Sequence, residues 1–275
     1  MAMSLHTDDM PRPMAQRILG DVVLDRPGIG LAEVDAAAAL QRRVDRTYLV
    51  TPGQLHRLAL ELGSDFRALD IGGRRVMNYD SVYFDSADLQ LFRSHRQGRR
   101  RRFKVRVRTY ADSGARFVEV KTKSGRGETV KHRIPHPNGD RTALDRRATD
   151  FVRSVIREQY GLSAPPLRPV LESVYRRATL VDPIAGERLT CDIDLRWSTG
   201  DGDYVVGPDR VLLESKTTST GRADAVLAAW GIRPLSMSKY AIGTALLRPH
   251  LAANKWSRLL RNEFGWQRAA ITETR

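Results

Sequence analysis

The sequence predicts an α+β fold in which about eight antiparallel strands form a closed β-barrel around a basic tunnel, with helices packed outside. Three observations lead to this prediction. Residues 102–134 alternate charged and apolar side chains, the alternation returns in the second half of the chain, and apolar stripes at helical spacing lie between the strands. Closing such a sheet puts its charges inside, and about eight strands leave room for one small or linear ligand.

Residues 102–134 form the centre of this prediction. Period-two alternation and two turns that contain Gly114 and Gly125 predict an antiparallel meander of three strands. One face of the meander is apolar. The other, charged face could equally be the solvent-exposed side of a half-buried sheet. Against that reading, cations so close together repel each other unless a polyanion neutralises them. The charged face holds seven basic side chains and one carboxylate: Lys104, Arg106, Arg108, Lys121, Lys123, Lys131, Arg133 and Glu119.

Before the meander, residues 1–41 are predicted to be a flexible N-terminal leader. A strand follows over residues 44–50, and Thr51 then serves as N-cap of a helix with Pro52 in its first turn. Gly63 ends that helix. A strand over residues 75–84 and a short helix over residues 87–95 lead into the meander.

After the meander, residues 142–160 predict the longest helix, whose apolar stripe is expected to cover the apolar face of the sheet. Strands are predicted over residues 171–180, 188–197, 203–206 and 211–217, and helices over 223–230 and 239–247. Residues 249–275 are predicted to be a C-terminal helix and tail.

The overall charge indicates a phosphate-rich partner. The chain has 275 residues, a formal net charge of +14 and a pI near 10.4. Its one cysteine, Cys191, excludes an internal disulfide, and its six histidines lack metal-binding spacing. No motif for sequence-specific nucleic-acid recognition stands out, so such a partner is not expected. The N-terminus lacks the apolar segment of a signal peptide, which predicts a cytoplasmic protein.

Nine short motifs occur along the chain in one order. They are Asp45-Arg46-Thr47-Tyr48, Val82–Ser86, Lys104–Tyr110, Glu119-Val120-Lys121, Lys131-His132-Arg133, Tyr175-Arg176-Arg177, Arg188–Asp192, Glu214-Ser215-Lys216 and Ser238-Lys239-Tyr240. In this order, residues 42–248 resemble the triphosphate tunnel metalloenzymes (CYTH-like). The resemblance is greatest to the polyphosphate polymerase domain of the vacuolar transporter chaperone (VTC) complex.

The resemblance implies a transferase that uses ATP and inorganic polyphosphate, with Mn²⁺ or Mg²⁺ as cofactor, and with room for a membrane-protein partner outside this chain. The implied catalytic residues are Arg106, Arg108, Lys121, Lys131 and Lys239. The implied phosphate-binding residues are Arg46, Lys104, Arg106, Arg108, Lys121, Lys131, Arg133, Arg177, Arg188, Lys216 and Lys239. The implied metal ligands are Glu214 and, as a weaker candidate, Glu119.

Three positions depart from the family pattern. Asp45 stands where the family has Glu, and Thr47 and Ser236 stand where it has Lys. Fewer cations would weaken triphosphate binding or alter the preferred chain length. The sequence therefore leaves three functions open: a polyphosphate polymerase, a hydrolase of tripolyphosphate or another triphosphate, and an inactive module that binds polyphosphate.

Overall fold

The computed structural model describes residues 13–37, 44–123, 129–137, 139–200 and 202–267. These residues divide into two compact units. Unit 1 contains the chain up to residue 76 together with residues 178–194 and 209–235. Unit 2 contains residues 77–177, 195–208 and the chain from residue 236 onward.

The strands and helices are numbered here in chain order. The strands are β1 Gly28–Ile29, β2 Val44–Val50, β3 Arg67–Leu69, β4 Val76–Asp85, β5 Arg102–Tyr110, β6 Arg116–Lys123, β7 Thr129–Pro135, β8 Arg168–Asp182, β9 Glu187–Ser198, β10 Tyr204–Val206 and β11 Val211–Thr217. The α-helices are α1 Met14–Leu24, α2 Leu31–Ala37, α3 Pro52–Leu62, α4 Gln90–Arg96, α5 Arg146–Tyr160, α6 Arg222–Ala229, α7 Lys239–Leu247 and α8 Ser257–Phe264. Two short 3₁₀ turns cover Gly63–Asp65 and Asn254–Trp256.

Unit 1 is built on the pairing of β2 with β11 and of β11 with β9, both antiparallel. Helix α3 begins as predicted, because the Thr51 hydroxyl accepts a hydrogen bond from the backbone of Gln54 and the Gln54 side chain accepts one from the backbone of Thr51. Its buried side chains join those of α1 in one core with the apolar side of the sheet.

The N-terminal region differs from the predicted leader. Residues 14–37 form α1, β1 and α2, and Leu19, Val22 and Val23 of α1 are buried in the core of unit 1. These three apolar residues lie at helical spacing, so burial of one helix face offsets the cost of ordering the segment. The rest of the predicted leader, residues 1–12 and 38–41, lies outside the described residues.

Unit 2 is built on the central meander. Strands β4, β5, β6 and β7 pair in sequence as antiparallel neighbours. Helix α5 covers their apolar face, as predicted: Ala148, Val152 and Ile156 share a buried cluster with Val105 and Val120. The helix begins four residues later than predicted, because the Asp145 carboxylate caps it by accepting from the Ala148 backbone N–H at 2.7 Å.

The sheet is open, and the predicted closed barrel is therefore wrong. The hydrogen-bonded strand order is β2-β11-β9-β8-β4-β5-β6-β7, and within the described residues no pairing joins the first and last of these strands. The exposed strand β7 carries Lys131 and Arg133 and ends at Pro135. Basic side chains and proline are typical of edge strands, because they oppose pairing with another strand.

The remaining elements agree well with the sequence. β2, β11 and α7 have the predicted bounds, and the other long elements begin or end within a few residues of them. The C-terminal region begins with the turn at Asn254–Trp256 and continues into α8. Within the described part of the chain, no helix is both long enough and apolar enough to cross a lipid bilayer.

Candidate functional site

A buried carboxylate lies among three cations in the middle of the meander. Glu119 of β6 is 2% exposed and lies directly across from Arg106 of β5. Arg106 donates to Glu119 Oε2 from Nε at 2.8 Å and from Nη2 at 2.6 Å. Lys131 Nζ lies 2.7 Å from Glu119 Oε1, and Arg108 Nε lies 3.9 Å from Oε2. We call these four residues the Glu119 group; together they carry a net charge of +2.

The titration of this group follows from its charges. Burial acts to raise the pKa of Glu119, but the charges of Arg106, Arg108 and Lys131 outweigh it and hold the pKa well below its usual value. Burial also lowers the pKa of Lys131, an effect that the Glu119 carboxylate only partly offsets. Glu119 is therefore ionised at neutral pH and stabilises cations that would otherwise repel each other.

Lys131 of the Glu119 group is also the end of a row of three lysines. Lys104 of β5 lies directly across from Lys121 of β6, which lies directly across from Lys131 of β7. Side chains at such positions have Cβ atoms about 5 Å apart, and like charges there are destabilising. This lysine row, together with Arg133, which faces Glu119 from β7, makes the polar face of the meander strongly cationic.

An aromatic pair lies next to this face and contacts Arg108 of the Glu119 group and two further cations, Arg177 and Lys239. The rings of Tyr79 and Tyr175 are stacked, with centroids 5.3 Å apart and planes at 5°. Arg108 donates from Nη2 to the Tyr175 hydroxyl at 3.0 Å. The Arg177 guanidinium lies 5.2 Å from the Tyr79 centroid, and Lys239 Nζ lies 4.3 Å from the Tyr175 centroid. Cations at these distances are attracted by the ring faces, which fixes their positions.

Tyr83 and Tyr175 occur in two of the nine motifs, but no role was predicted for any tyrosine of this face. A signal was present, because Tyr79 and Tyr83 share one parity of β4 and Tyr175 shares the parity of Arg177. What the sequence does not reveal is that β4 and β8 are neighbours, which brings these rings together.

Lys239 is held in place by the helix that it begins. Ser238 caps α7 by accepting a hydrogen bond from the Ala241 backbone at 3.2 Å. The Tyr240 hydroxyl donates to the buried carboxylate of Asp85, which also accepts from the backbone N–H groups of Leu91 and Phe92 at the start of α4. Asp85 thus ties the beginning of α7 to that of α4, and so positions Lys239.

Four predicted site residues lie in unit 1. Lys216 Nζ lies 2.8 Å from Glu214 Oε2 and donates to the Thr190 hydroxyl at 3.4 Å, and Arg188 lies directly across from Lys216. These residues share one face of the sheet. Arg46 differs from the prediction, because it pairs with Ser215 and so lies on the opposite face.

There Arg46 donates to Asp224 Oδ2 at 2.7 Å and to the Ser219 carbonyl at 2.8 Å. Asp224 also accepts from the Tyr48 hydroxyl at 2.8 Å. The surroundings of Arg46 are therefore those of a residue that anchors the start of α6, not of a phosphate ligand on the face of Glu214.

The two predicted metal ligands differ in their suitability. Glu119 does not fit, because both of its oxygens bind cations and an added metal ion would meet further positive charge. Glu214 fits better: it shares a face with Asp192, and Mg²⁺ is commonly held by one or two carboxylates together with substrate phosphates. In the described ranges, no cluster of three or more His, Cys, Asp or Glu side chains could hold a metal by itself.

Comparison with protein families identifies the domain that carries these residues. The model of the VTC domain matches residues 42–248. The chain belongs to the VTC domain family. Eight of the residues implied by the resemblance to bind phosphate lie in unit 2 of this VTC domain, and three lie in unit 1 in addition to Glu214. No curated protein matches the chain.

Solved structures similar to this VTC domain share little sequence with it. The PH1819 protein from Pyrococcus horikoshii OT3 is 10% identical, with a TM-score of 0.41 over 73% of this chain and 97% of that one. A candidate adenylyl cyclase from Hippeastrum, described as having a dominant triphosphatase activity, is 15% identical, with a TM-score of 0.47 over 73% and 94%. A candidate adenylate cyclase from Vibrio parahaemolyticus is 12% identical, with a TM-score of 0.41 over 72% and 95%.

Proposed function

We propose that this VTC-domain protein is a metal-dependent polyphosphate polymerase that transfers the γ-phosphate of ATP onto the end of an inorganic polyphosphate chain. The observation that carries the proposal is the gathering of Arg106, Arg108 and Lys131 around the single carboxylate of Glu119. One carboxylate neutralises only one of these three charges. The remaining positive charge, on a face that also holds the lysine row, suits a ligand made of consecutive phosphates.

The reaction needs no covalent chemistry from the protein. The bond from the γ-phosphorus to the β-γ bridging oxygen breaks and ADP leaves with that oxygen, while a terminal oxygen of the polyphosphate chain bonds to the γ-phosphorus. Catalysis of such a transfer consists of positioning and of stabilising the charge on the phosphoryl oxygens.

The side chains of unit 2 are suited to that work. Arg106 and Arg108 project from the same face of β5, about 6.7 Å apart along the strand, so they can hold neighbouring parts of one phosphate chain. Arg108 is held by Glu119 and Tyr175, and Lys239 by the ring of Tyr175 and the cap of α7. Charges fixed in advance in this way do not have to reorganise during the reaction.

A divalent ion is part of the proposal. When bound, Mn²⁺ or Mg²⁺ would neutralise charge on the phosphate oxygens, and Glu214 is the side chain proposed to hold it. Lys216, whose Nζ lies 2.8 Å from Glu214 Oε2, would orient that carboxylate.

Two other functions would use the same residues. A triphosphate hydrolase would place water where the polyphosphate end attacks, with its proton released to solvent. A module that only binds polyphosphate is favoured by one observation, the presence of Thr47 and Ser236 where the family has lysines.

One experiment separates the three functions. The purified protein is incubated with ATP and Mn²⁺ or Mg²⁺, and polyphosphate chains and free phosphate are measured from the same reaction. The polymerase forms chains with little free phosphate, whereas the hydrolase releases phosphate without chains. Absence of both products, together with retention of added polyphosphate, would overturn the enzymatic proposal in favour of the binding module.

A further inference from the structure

One end of the cationic face continues beyond the residues discussed so far. Arg102 of β5 lies directly across from Lys123 of β6, one row beyond Lys104 and Lys121. Because residues two apart on a strand share a face, both side chains lie on the same face as Arg106 and Glu119. From Arg108 to Arg102 the cations of β5 thus extend over six residues, or about 20 Å.

A third cation reaches this end from the C-terminal region. Lys255 belongs to the 3₁₀ turn Asn254–Trp256, and its Nζ lies 3.5 Å from the His95 carbonyl oxygen. The His95 ring lies 3.1 Å from the carbonyl oxygen of Phe103, the residue next to Arg102. The turn is anchored by Trp256, which is 4% exposed and donates from its ring N–H to the Ser236 carbonyl at 2.8 Å.

The charges at this end of the face are of one sign and close enough to affect each other. Burial lowers the pKa of Lys255 and of Lys123, and the charge of Arg102 lowers both further. Burial together with Lys104, Arg102 and Lys255 lowers the pKa of His95 to about 2, so this ring stays neutral. In the described part of the chain, no carboxylate forms an ion pair with Arg102, Lys123 or Lys255.

We propose that Arg102, Lys123 and Lys255 form an outer site that binds the part of a polyphosphate chain extending beyond the Glu119 group. This inference rests on the proposed function, because it takes polyphosphate as the ligand. Lys255 lies outside residues 42–248, so the C-terminal region contributes a ligand-binding residue that the family domain does not contain.

The spacing of the cations along β5 implies that only a long polyphosphate chain reaches the outer site. Rows on β5 are about 6.7 Å apart, roughly the length spanned by alternate phosphates of an extended chain. Three consecutive phosphates therefore span about the distance from Arg106 to Lys104, the next residue on the same face of β5. Arg102 is one such step farther away. A tripolyphosphate bound at the Glu119 group would not contact Lys255, but a longer chain would.

The test measures binding of two probes, long-chain polyphosphate and inorganic tripolyphosphate, without ATP or turnover. Lys255→Ala is expected to weaken binding of the long chain about three- to tenfold and to reduce the slope of log K against log salt by about one. Binding of tripolyphosphate should change less than about twofold, and Lys255→Arg should restore the long-chain affinity. The matched control is Arg146→Ala. This variant also removes one positive charge, but from a side chain of α5 that is 97% exposed.

Three results would overturn the outer site. They are an unchanged affinity of Lys255→Ala for the long chain, an equal loss for both probes, and an equal loss in Arg146→Ala. Because Lys255 is exposed, the variant should keep its melting temperature, and Arg102→Ala provides a second removal at the same site. If the wild type bound neither probe, the proposed function itself would fail, which is distinguishable from failure of the outer site alone.

Discussion

Arg106 binds one oxygen of Glu119 through two nitrogens, at 2.6 and 2.8 Å. A carboxylate in this position is a fixed anion among the cations that we propose to hold phosphate. A phosphate chain that binds here shares Arg106, Arg108 and Lys131 with Glu119. The carboxylate therefore keeps the site assembled when no ligand is present, at the cost of lowering the positive charge available to the ligand.

Removing Arg106 or Arg108 from β5 should slow chain growth. We expect Arg106→Ala or Arg108→Ala to lower kcat by more than about 100-fold, the scale for losing one group that stabilises developing charge. The measurement is the rate of chain growth and of phosphate release from ATP, in parallel with Arg146→Ala, which should retain wild-type rates. A wild-type rate in Arg108→Ala would remove this residue from the proposed machinery.

Neutralising Glu119 should destabilise the protein in a manner that depends on pH. Because its folded pKa is depressed, Glu119 contributes stability above its unfolded pKa near 4.5 and loses it as pH falls toward the folded pKa. We expect Glu119→Gln to lower the free energy of unfolding by about 3 kcal/mol at pH 7 and by less at pH 4, measured by urea denaturation. Asp150→Asn, which alters only exposed ion pairs on α5, is the control. A loss in Glu119→Gln that did not change with pH would contradict this account.

The Tyr175 hydroxyl and ring are expected to have separable effects. Tyr175→Phe removes the hydrogen bond to Arg108 but keeps the ring beneath Lys239, so we expect a moderate loss in kcat, about tenfold, with little change in stability. Tyr175→Ala also removes the stacking on Tyr79 and should cost about 3 kcal/mol or more of folding free energy. Steady-state rates and thermal unfolding of both variants provide the comparison. Equal rates in Tyr175→Phe and wild type would mean that the hydroxyl does not position Arg108.

The proposed metal ligand has its own test. Glu214→Ala should abolish Mn²⁺-dependent turnover while the circular dichroism spectrum and melting curve remain those of a folded protein. Because Lys216 loses its ion pair with Glu214 in this variant, Glu214→Gln is the better-matched change, since it keeps a hydrogen-bond acceptor near Lys216. Wild-type turnover at saturating Mn²⁺ in both variants would refute the assignment of Glu214.

The fold could be predicted where the chain carries local signals. The bounds of α3 follow from Thr51 and Gly63, and those of the meander from alternation and glycine turns. Helix α1 carried a local signal that the predicted leader passed over, because its buried residues Ala15, Leu19, Val22 and Val23 lie at helical spacing. Closure of the sheet was expected from strand number, but the pairing of edge strands depends on long-range geometry that the sequence pattern does not contain.

The candidate site likewise contains contacts that the sequence predicts and contacts that it does not. The pairing of Arg106 with Glu119 is implied by a short hairpin, because its register decides which residues are opposite. The contacts of Tyr175 with Arg108 and Lys239 join segments far apart in sequence, and no local pattern identifies them. The position of Arg46 on the face opposite Glu214 could have been predicted in part, since Arg46 and Thr47 alternate on β2 and the family pattern places its lysine at the position of Thr47.

The row formed by Lys104, Lys121 and Lys131 has a practical consequence for work with the purified protein. Inorganic phosphate or sulfate in a buffer would bind to this row and reduce the repulsion among its three lysine side chains. Such buffers would raise the melting temperature and, at the same time, compete with polyphosphate. If polyphosphate is the ligand, as we propose, assays in a phosphate buffer would show a higher melting temperature and a weaker apparent affinity for polyphosphate than assays in a zwitterionic buffer.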